Sequence, residues 1–166
     1  EAEFLYYDQE NVYRWWDTSM GNIDGRKAFY EQDSISDKDG AYWCDRFVSV
    51  GQEFGRNPIV TVCWFDNCNI ITQGQQQSGL VVKAWYPSYT FDTGFHIDVP
   101  VIELEWRISG NWEERYYYAK GFGLVRWENR AGLRSWLVEI HVDRPPMAPP
   151  NIPACIPTPN LYYVPS

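Results

Sequence analysis

The sequence predicts an all-β fold, either an antiparallel β-sandwich or a strongly curled meander sheet, stapled by disulfides. Apolar and polar side chains alternate in residues 101–108 and 136–143, which is the period of a half-buried strand. Two further segments, residues 57–65 and 79–86, are apolar runs rich in β-branched residues. Helical periodicity is faint and limited to residues 26–32, so strands dominate the prediction.

Five tryptophans recur at a constant spacing of 21 residues, and this regularity favours a meander. Several of them end similar apolar lead-ins, as "LVVKAW" and "VIELEW" illustrate. An up-and-down pair of strands uses about 20 residues, so we interpret the spacing as regular topology rather than as duplication. The five residues are Trp43, Trp64, Trp85, Trp106 and Trp127.

Three consecutive tyrosines are predicted to lie in one strand. In that strand Tyr117 points to the face opposite to Tyr116 and Tyr118. Gly121 and Gly123 follow, and both permit a turn or a bulge before the next strand. The three rings therefore cannot share one core. Either one face of this hairpin carries rings outward, or the sheet is covered on both sides.

We expect three segments along the chain. Residues 1–4 resemble the expression scar left when a yeast secretion leader is trimmed, and residues 5–144 are expected to form a single all-β domain. From residue 145 to 166 a proline recurs every two or three positions in much of the segment, which favours extended polyproline geometry. This Pro-rich segment is predicted to be a linker or strap that attaches the module to a parent multidomain protein.

The charge balance argues against nucleic acid as a partner. The chain has 14 Lys and Arg against 22 Asp and Glu, which gives a formal net charge of -8, and it has no basic stripe. No run of 18 apolar residues occurs, so no membrane span is expected. Apolar residues make up 45% of the chain, which is ample for one core.

Four cysteines, an even number, are typical of a secreted protein with two disulfides. They allow three connectivities, and the loop between Cys63 and Cys68 is short enough to close across a turn. We therefore predict the pairs Cys63–Cys68 and Cys44–Cys155, and a secreted or extracellular location. The uneven spacing disfavours a metal site.

The segment "YYYAKGFGLVRWE", residues 116–128, resembles a signature of secreted or lipoprotein-type bacterial β-sheet domains of unknown function. The resemblance covers 13 of the 166 residues, and it implies an extracytoplasmic antiparallel sheet without an assigned catalytic residue. The same segment is similar to the "YFKAG" strand of alginate lyases, and "VEIHVD" is similar to their "QIH" segment. In that family the His-bearing strand precedes the Tyr-bearing strand, whereas here His141 follows Tyr117.

Aromatic residues make up 17% of the chain, and this excess favours carbohydrate binding. Sugars stack their C–H faces on exposed rings, and each good ring contact contributes about 1 kcal/mol. We therefore predict a secreted, non-catalytic carbohydrate-binding module that takes a polysaccharide or glycan and needs no cofactor. The candidate ligand contacts lie near strand ends or opposite a core face: Trp15, Trp16, Tyr86, Tyr89, Trp112 and Tyr117.

Two other functions fit the same sequence. A structural or protein-interaction domain would present its rings to another protein or to a second copy of itself. A small polysaccharide hydrolase or lyase would act through Glu103, Glu105 or His141. Glu103 and Glu105 share a strand face about 7 Å apart, near the separation of paired glycosidase carboxylates, but the laminarinase-type motif requires a third acid. We expect both carboxylates to lie on a solvent-exposed face, with Arg107 balancing their negative charge.

An acidic loop at residues 33–40 would allow a structural Ca²⁺ ion. Asp37, Asp39 and Gly40 have the spacing found in calcium loops. An EF-hand would require acids at the positions of Ile35 and Arg46, so that type of site is excluded. A plain acidic turn is the expected structure.

Overall fold

The computed structural model describes residues 3–7, 12–17, 27–35, 40–64 and 66–139. In this part of the chain every helix or strand assigned is a β-strand, and the strands pair antiparallel in several sheets. The all-β prediction is therefore confirmed. Where the sequence predicted one domain over residues 5–144, the chain divides into two compact units.

The strands are, in chain order, β1 (Glu3–Tyr7), β2 (Val12–Asp17), β3 (Lys27–Gln32), β4 (Ala41–Asp45), β5 (Glu53–Arg56), β6 (Ile59–Trp64), β7 (Ile70–Gln75), β8 (Ser78–Tyr86), β9 (Tyr89–Thr90), β10 (His96–Ile97), β11 (Val101–Ile108), β12 (Asn111–Ala119), β13 (Gly123–Asn129) and β14 (Arg134–Trp136). Each of the five evenly spaced tryptophans lies on a strand of this series.

The first unit comprises residues 1–46, 56–76 and 147–166. Its described strands form two three-stranded sheets with the orders β1-β2-β4 and β3-β6-β7. The second unit comprises residues 47–55 and 77–146. It contains a six-stranded sheet with the order β14-β13-β12-β11-β8-β5, and the short β9-β10 hairpin.

The register of the six-stranded sheet sorts its side chains onto two faces, because cross-strand partners point to the same side. Glu103 pairs with Tyr117, and Tyr117 pairs in turn with Arg126. We call their side the ion-pair face; it carries Tyr86, Glu103, Glu105, Arg107, Trp112, Arg115, Tyr117, Arg126 and Glu128. The opposite face carries Trp85, Ile102, Leu104, Tyr116, Tyr118 and Leu124.

The three tyrosines place buried rings on both faces of the sheet. On the ion-pair face, Phe91 and Ile97 from the hairpin region pack in one buried cluster with Val101, Tyr117, Ala119 and Val125. On the opposite face Tyr116 is only 3% exposed, and it stacks on Tyr118 with ring centroids 6.3 Å apart. The Tyr117 side of this hairpin is therefore covered, whereas on the opposite face Trp85 and Leu124 remain exposed beside the buried Tyr116.

The first unit contains a buried ion pair. Arg56 Nη2 donates to Glu31 Oε2 at 2.7 Å, and both side chains are almost fully buried. The Arg56 guanidinium also lies over the Trp43 ring, 4.6 Å from its centroid. Burial raises the pKa of Glu31, and the charge and hydrogen bond of Arg56 oppose that shift. The pair is buried rather than solvated, so removing either partner would leave a charge without compensation.

Residues 27–32, where the sequence showed only faint helical periodicity, form β3, and each residue from Lys27 to Gln32 pairs with β6. One strand prediction needs correction. The strand expected over residues 136–143 ends at Trp136, and residues 140–143 lie outside the described part. Strand β1 begins at Glu3, within the segment interpreted as an expression scar. The Pro-rich segment, residues 145–166, also lies outside the described residues.

The predicted disulfide pairs are wrong. Cys44 and Cys63 are free and buried, so neither Cys63–Cys68 nor Cys44–Cys155 is formed. Cys68 is disulfide-bonded, and Cys155 lies outside the described residues. Burial raises the pKa of Cys44 to about 12 and also raises that of Cys63, which keeps both as thiols.

A two-residue turn joins β11 to β12. Ile108 pairs with Asn111, which leaves Ser109 and Gly110 as the loop. Their φ angles are 50° and 79°, so both residues are left-handed, as a type I′ hairpin turn requires. Glycine adopts this conformation at no steric cost, whereas serine does so with strain.

We predict that Ser109→Asn stabilises the protein, because Asn tolerates the left-handed region and Asn-Gly is the preferred type I′ sequence. The free energy of unfolding should rise by about 0.5 kcal/mol, measured by urea denaturation. Ser49→Asn is the matched control, since Ser49 lies in a loop and has no positive φ. An equal effect of both substitutions would contradict the turn assignment.

Candidate functional site

Three of the six predicted ligand contacts come together in one ring cluster. Tyr89 lies at its centre, with its ring centroid 5.3 Å from that of Tyr86 and 5.6 Å from that of Tyr117. Phe91 extends the cluster at 5.1 Å from Tyr89. Tyr86 and Tyr89 are half-buried, whereas Tyr117 is 5% exposed. The cluster therefore leaves the first two tyrosines partly accessible to solvent, with Tyr117 packed behind them.

Polar contacts fix the tyrosine hydroxyls. Tyr86 donates to Glu103 Oε2 at 2.7 Å, and burial together with this carboxylate raises the pKa of Tyr86 to about 12. The Tyr89 hydroxyl accepts a hydrogen bond from Arg126 Nη1 at 2.9 Å. The Arg126 guanidinium also lies over the Tyr117 ring, 5.0 Å from its centroid. The rings are thus held by hydrogen bonds and by packing, which leaves them one orientation.

Glu105 is the most tightly held carboxylate of the ion-pair face. Arg107 donates to its Oε1 through Nε at 2.8 Å and Nη2 at 2.7 Å, and Arg115 Nε donates to its Oε2 at 3.0 Å. Burial raises the pKa of Glu105, but the hydrogen bonds from Arg107 and Arg115 outweigh it, so the pKa is lowered overall. The carboxylate is therefore ionised at neutral pH.

Glu128 extends the network to β13. It accepts from Arg126 Nη2 at 3.0 Å and from Arg115 Nη1 at 3.4 Å. The Tyr117 hydroxyl also donates to it at 3.3 Å. Burial alone would lower the pKa of Arg126, but the hydrogen bond to Glu128 reverses the effect and raises it. Five strands, β8, β9, β11, β12 and β13, therefore contribute to one continuous network of carboxylates, guanidinium groups and phenols.

The prediction of a solvated face at Glu103 and Glu105 is wrong, although Arg107 does balance Glu105 as expected. Glu103 is 8% exposed and Glu105 is 3% exposed. Guanidinium groups reach the two carboxylates from β11 and from β12, and these groups cover them. The arginines remain partly open to solvent, with 30% of the Arg107 side chain and 31% of the Arg115 side chain exposed.

Trp112 lies at the end of the ion-pair face remote from the tyrosines. It is half-buried, it pairs with Arg107 in register, and the Arg115 guanidinium lies 4.6 Å from its ring centroid. Val101 pairs with Tyr86 at the opposite end of β11. The six residue steps from Val101 to Arg107 span about 20 Å. The face is therefore an elongated polar strip with an aromatic group at each end.

The remaining two predicted contacts, Trp15 and Trp16, lie on β2 and pair with Leu5 and Phe4 of β1. Arg115, Arg126 and Glu128 also belong to the site, although the sequence did not predict them. The sequence does contain one indication of them. Arg115 and Tyr117 are two residues apart, as are Arg126 and Glu128, so each pair shares one face of its strand. Only the cross-strand register shows that these residues face Glu103 and Glu105.

The calcium prediction falls mainly on residues 36–39, which lie outside the described part. Next to them, Asp33 accepts the Tyr42 N–H on both carboxylate oxygens at 3.1 Å. Among the residues that the structure describes, no three His, Cys, Asp or Glu side chains gather as a metal site would require. The same residues include no helix long and apolar enough to cross a membrane.

Comparison of the chain with models of known protein families, with curated proteins and with solved structures finds no match.

We predict that Glu105→Gln lowers the free energy of unfolding at pH 7 by about 2–3 kcal/mol, because it leaves two partly buried guanidinium groups short of an anionic partner. The folded-state pKa of Glu105 is lowered, so its stabilisation is present above the unfolded pKa, about 4.3, and disappears as the pH falls through the folded pKa. The difference between the proteins should therefore shrink below about pH 4, which denaturation at several pH values would measure.

Glu113→Gln is the matched control. Glu113 also faces an arginine, but its 3.5 Å contact with Arg130 Nη1 lies at the surface. This substitution should change the free energy of unfolding by about 0.5 kcal/mol or less. Equal losses for the two variants would show that burial does not strengthen the Glu105 contacts.

Proposed function

We propose that this chain is a secreted, non-catalytic carbohydrate-binding module, and that it binds a neutral polysaccharide or glycan along the ion-pair face. One observation carries the proposal: Tyr86, Tyr89 and Tyr117 form a single cluster whose hydroxyls join a row of fixed carboxylates and guanidinium groups. Such a surface offers rings for C–H stacking beside planar hydrogen-bonding groups.

The charge balance of the face favours an uncharged ligand. Its three carboxylates, from Glu103, Glu105 and Glu128, are matched by three guanidinium groups, from Arg107, Arg115 and Arg126. The negative and positive charges of these groups cancel, so the ion-pair face carries dipoles and no net charge. Sugar hydroxyls both donate and accept, and they can therefore pair with either kind of group.

The state of Glu105 favours binding over hydrolysis. A glycosidase needs one carboxyl group that stays protonated as general acid near neutral pH. The pKa of Glu105 is lowered instead, because Arg107 and Arg115 donate hydrogen bonds to it. A group held in this way is poorly suited to donate a proton to a leaving oxygen, so we do not assign Glu105 the role of general acid.

Within the predicted fold alternatives, we propose the strongly curled sheet. The ladders of the six-stranded sheet are interrupted between Glu103 and Leu104, between Trp106 and Arg107, and between Tyr117 and Tyr118. Such irregularities increase local twist and bend the strands. Three of them in adjacent ladders would curl the sheet, and we propose that the ion-pair face bends around an elongated ligand.

A protein-interaction function is the second candidate, and the opposite face favours it. Trp85, Ile102, Tyr118 and Leu124 lie in one cross-strand row on that face. Trp85 is 55% exposed and Leu124 is 38% exposed. An exposed apolar row of this kind is typical of contacts with another protein.

Trp85 and Tyr86 are neighbours on β8 that point to opposite faces, so one pair of variants separates the two functions. We predict that Tyr86→Ala weakens polysaccharide binding about tenfold, as expected for the loss of one stacked ring, while Trp85→Ala leaves it unchanged. Tyr86→Phe keeps the ring and should retain most of the affinity. Affinity electrophoresis in polysaccharide gels measures binding, and thermal unfolding verifies that each variant is folded.

A glycan array and polysaccharide pull-downs, each with and without Ca²⁺, would identify the ligand for these measurements. Absence of any saccharide response in the wild-type protein would refute the proposal. A concentration-dependent oligomer in light scattering that Trp85→Ala abolishes would then favour the protein-interaction function.

A further inference from the structure

A cavity of about 400 Å³ opens beside the ion-pair face, in the second unit. Its lining comes from three places: strand β5, the start of β8, and the end of β11 with its turn. Among the lining residues are Glu53, Gly55, Gly79, Val81, Arg107 and Gly110. We call it the end cavity, because it lies at the Arg107 end of the strip described above.

The cavity exists because two glycines, Gly55 and Gly79, line it. Gly51 N–H donates to Val82 O, and Val82 N–H donates to Gln52 O, which fixes β5 antiparallel to β8. Continuing this antiparallel register brings Gly55 opposite Gly79. A Cβ atom added at Gly55 would meet nothing within 4 Å, so its side of the cavity is open space. The volume lies within the range of small-ligand pockets.

A donor and an acceptor on the cavity wall lack hydrogen bonds to each other. Arg107 uses Nε and Nη2 to bind Glu105, while its Nη1 lies 3.8 Å from Glu53 Oε1. This separation exceeds hydrogen-bond distance. In the described part of the chain, no hydrogen bond to Arg107 Nη1 or to the Glu53 carboxylate occurs. A hydroxyl group placed between them would accept from Arg107 and donate to Glu53.

Arg107 also joins the cavity to the ion-pair face, because the same guanidinium binds Glu105 and lines the cavity. Val81, which is 8% exposed, supplies an apolar wall. Trp112 flanks Arg107 on the adjacent strand. A ligand that lies along the strip would therefore meet, at its far end, a recess with one donor, one acceptor and an apolar side.

We infer that the end cavity is a terminal subsite that takes the last sugar residue of a neutral saccharide chain, with vicinal hydroxyls on Arg107 and Glu53. This inference rests on the proposed function and deepens it. The protein would bind the end of a saccharide chain in addition to residues along its length. Binding should then depend on the length of the saccharide.

The test uses two variants that alter the cavity and spare the strip. Gly55→Leu fills the open space, and Glu53→Ala removes the acceptor from a side chain that is 70% exposed. Gly74→Leu is the matched control, because Gly74 is also a strand glycine whose added Cβ would meet nothing within 4 Å. Thermal unfolding establishes that all three variants fold.

Calorimetry with cello-, xylo-, manno- and laminari-oligosaccharides of two to six residues gives the readout. For the wild-type protein, affinity should rise with length and then reach a plateau. Gly55→Leu and Glu53→Ala should weaken binding of the longest oligosaccharides about five- to tenfold, the effect of losing one or two hydrogen bonds, and leave the shortest unchanged. Gly74→Leu should match the wild-type protein.

Wild-type affinities retained by both cavity variants at every length would overturn the terminal subsite and leave the proposed function standing. An equal loss at every length would also overturn it, since the cavity would then not be specific for the chain end. Absence of binding by the wild-type protein to the whole panel would refute the proposed function, and the subsite with it.

Discussion

The buried Glu105 carboxylate is the constraint on which the second unit depends. An ionised carboxylate at 3% exposure is costly unless several donors satisfy it. Its donors are Arg107 on the same strand and Arg115 on the next, so the network closes only when β11 and β12 pair in the observed register. A slip by one residue would move Arg115 to the opposite face and leave the charge uncompensated. The ion pairs therefore specify the sheet as well as stabilise it.

The aromatic cluster follows from the same register. Tyr117 pairs with Glu103 on one side and with Arg126 on the other, so its ring lies among charged groups while the β9-β10 hairpin covers it. Tyr86 and Tyr89 complete the cluster through hydrogen bonds to those two charged residues. Because charged partners fix the phenols, little side-chain entropy is left to lose when a ligand binds, which is the advantage of a pre-organised surface.

The sequence predicted the strands of this unit well and their environment poorly. Alternation in residues 101–108 and in the tyrosine triplet correctly placed Tyr117 opposite Tyr116, because side-chain direction in a strand is a local property. The burial of Glu103 and Glu105 is not local, since it depends on arginines that other strands supply. The faint helical periodicity at residues 26–32, on which no helix was predicted, is outweighed in the same way by the pairing of β3 with β6. Disulfide pairing is also non-local, and spacing alone misassigned Cys44 and Cys63.

The two faces of the sheet place adjacent residues in different environments, one apolar and one charged. Trp85 exposes an apolar ring in a row without charges. Tyr86, the next residue, donates a hydrogen bond to a carboxylate of the ion-pair face, where positive and negative charges are equal in number. An apolar row binds through the area that it removes from water and discriminates weakly among partners. A set of fixed donors and acceptors binds weakly to any ligand that leaves those groups unpaired, so it discriminates strongly among ligands. The sugar recognition that we propose therefore belongs to the ion-pair face, whose carboxylates hold the guanidinium groups of three arginines in place.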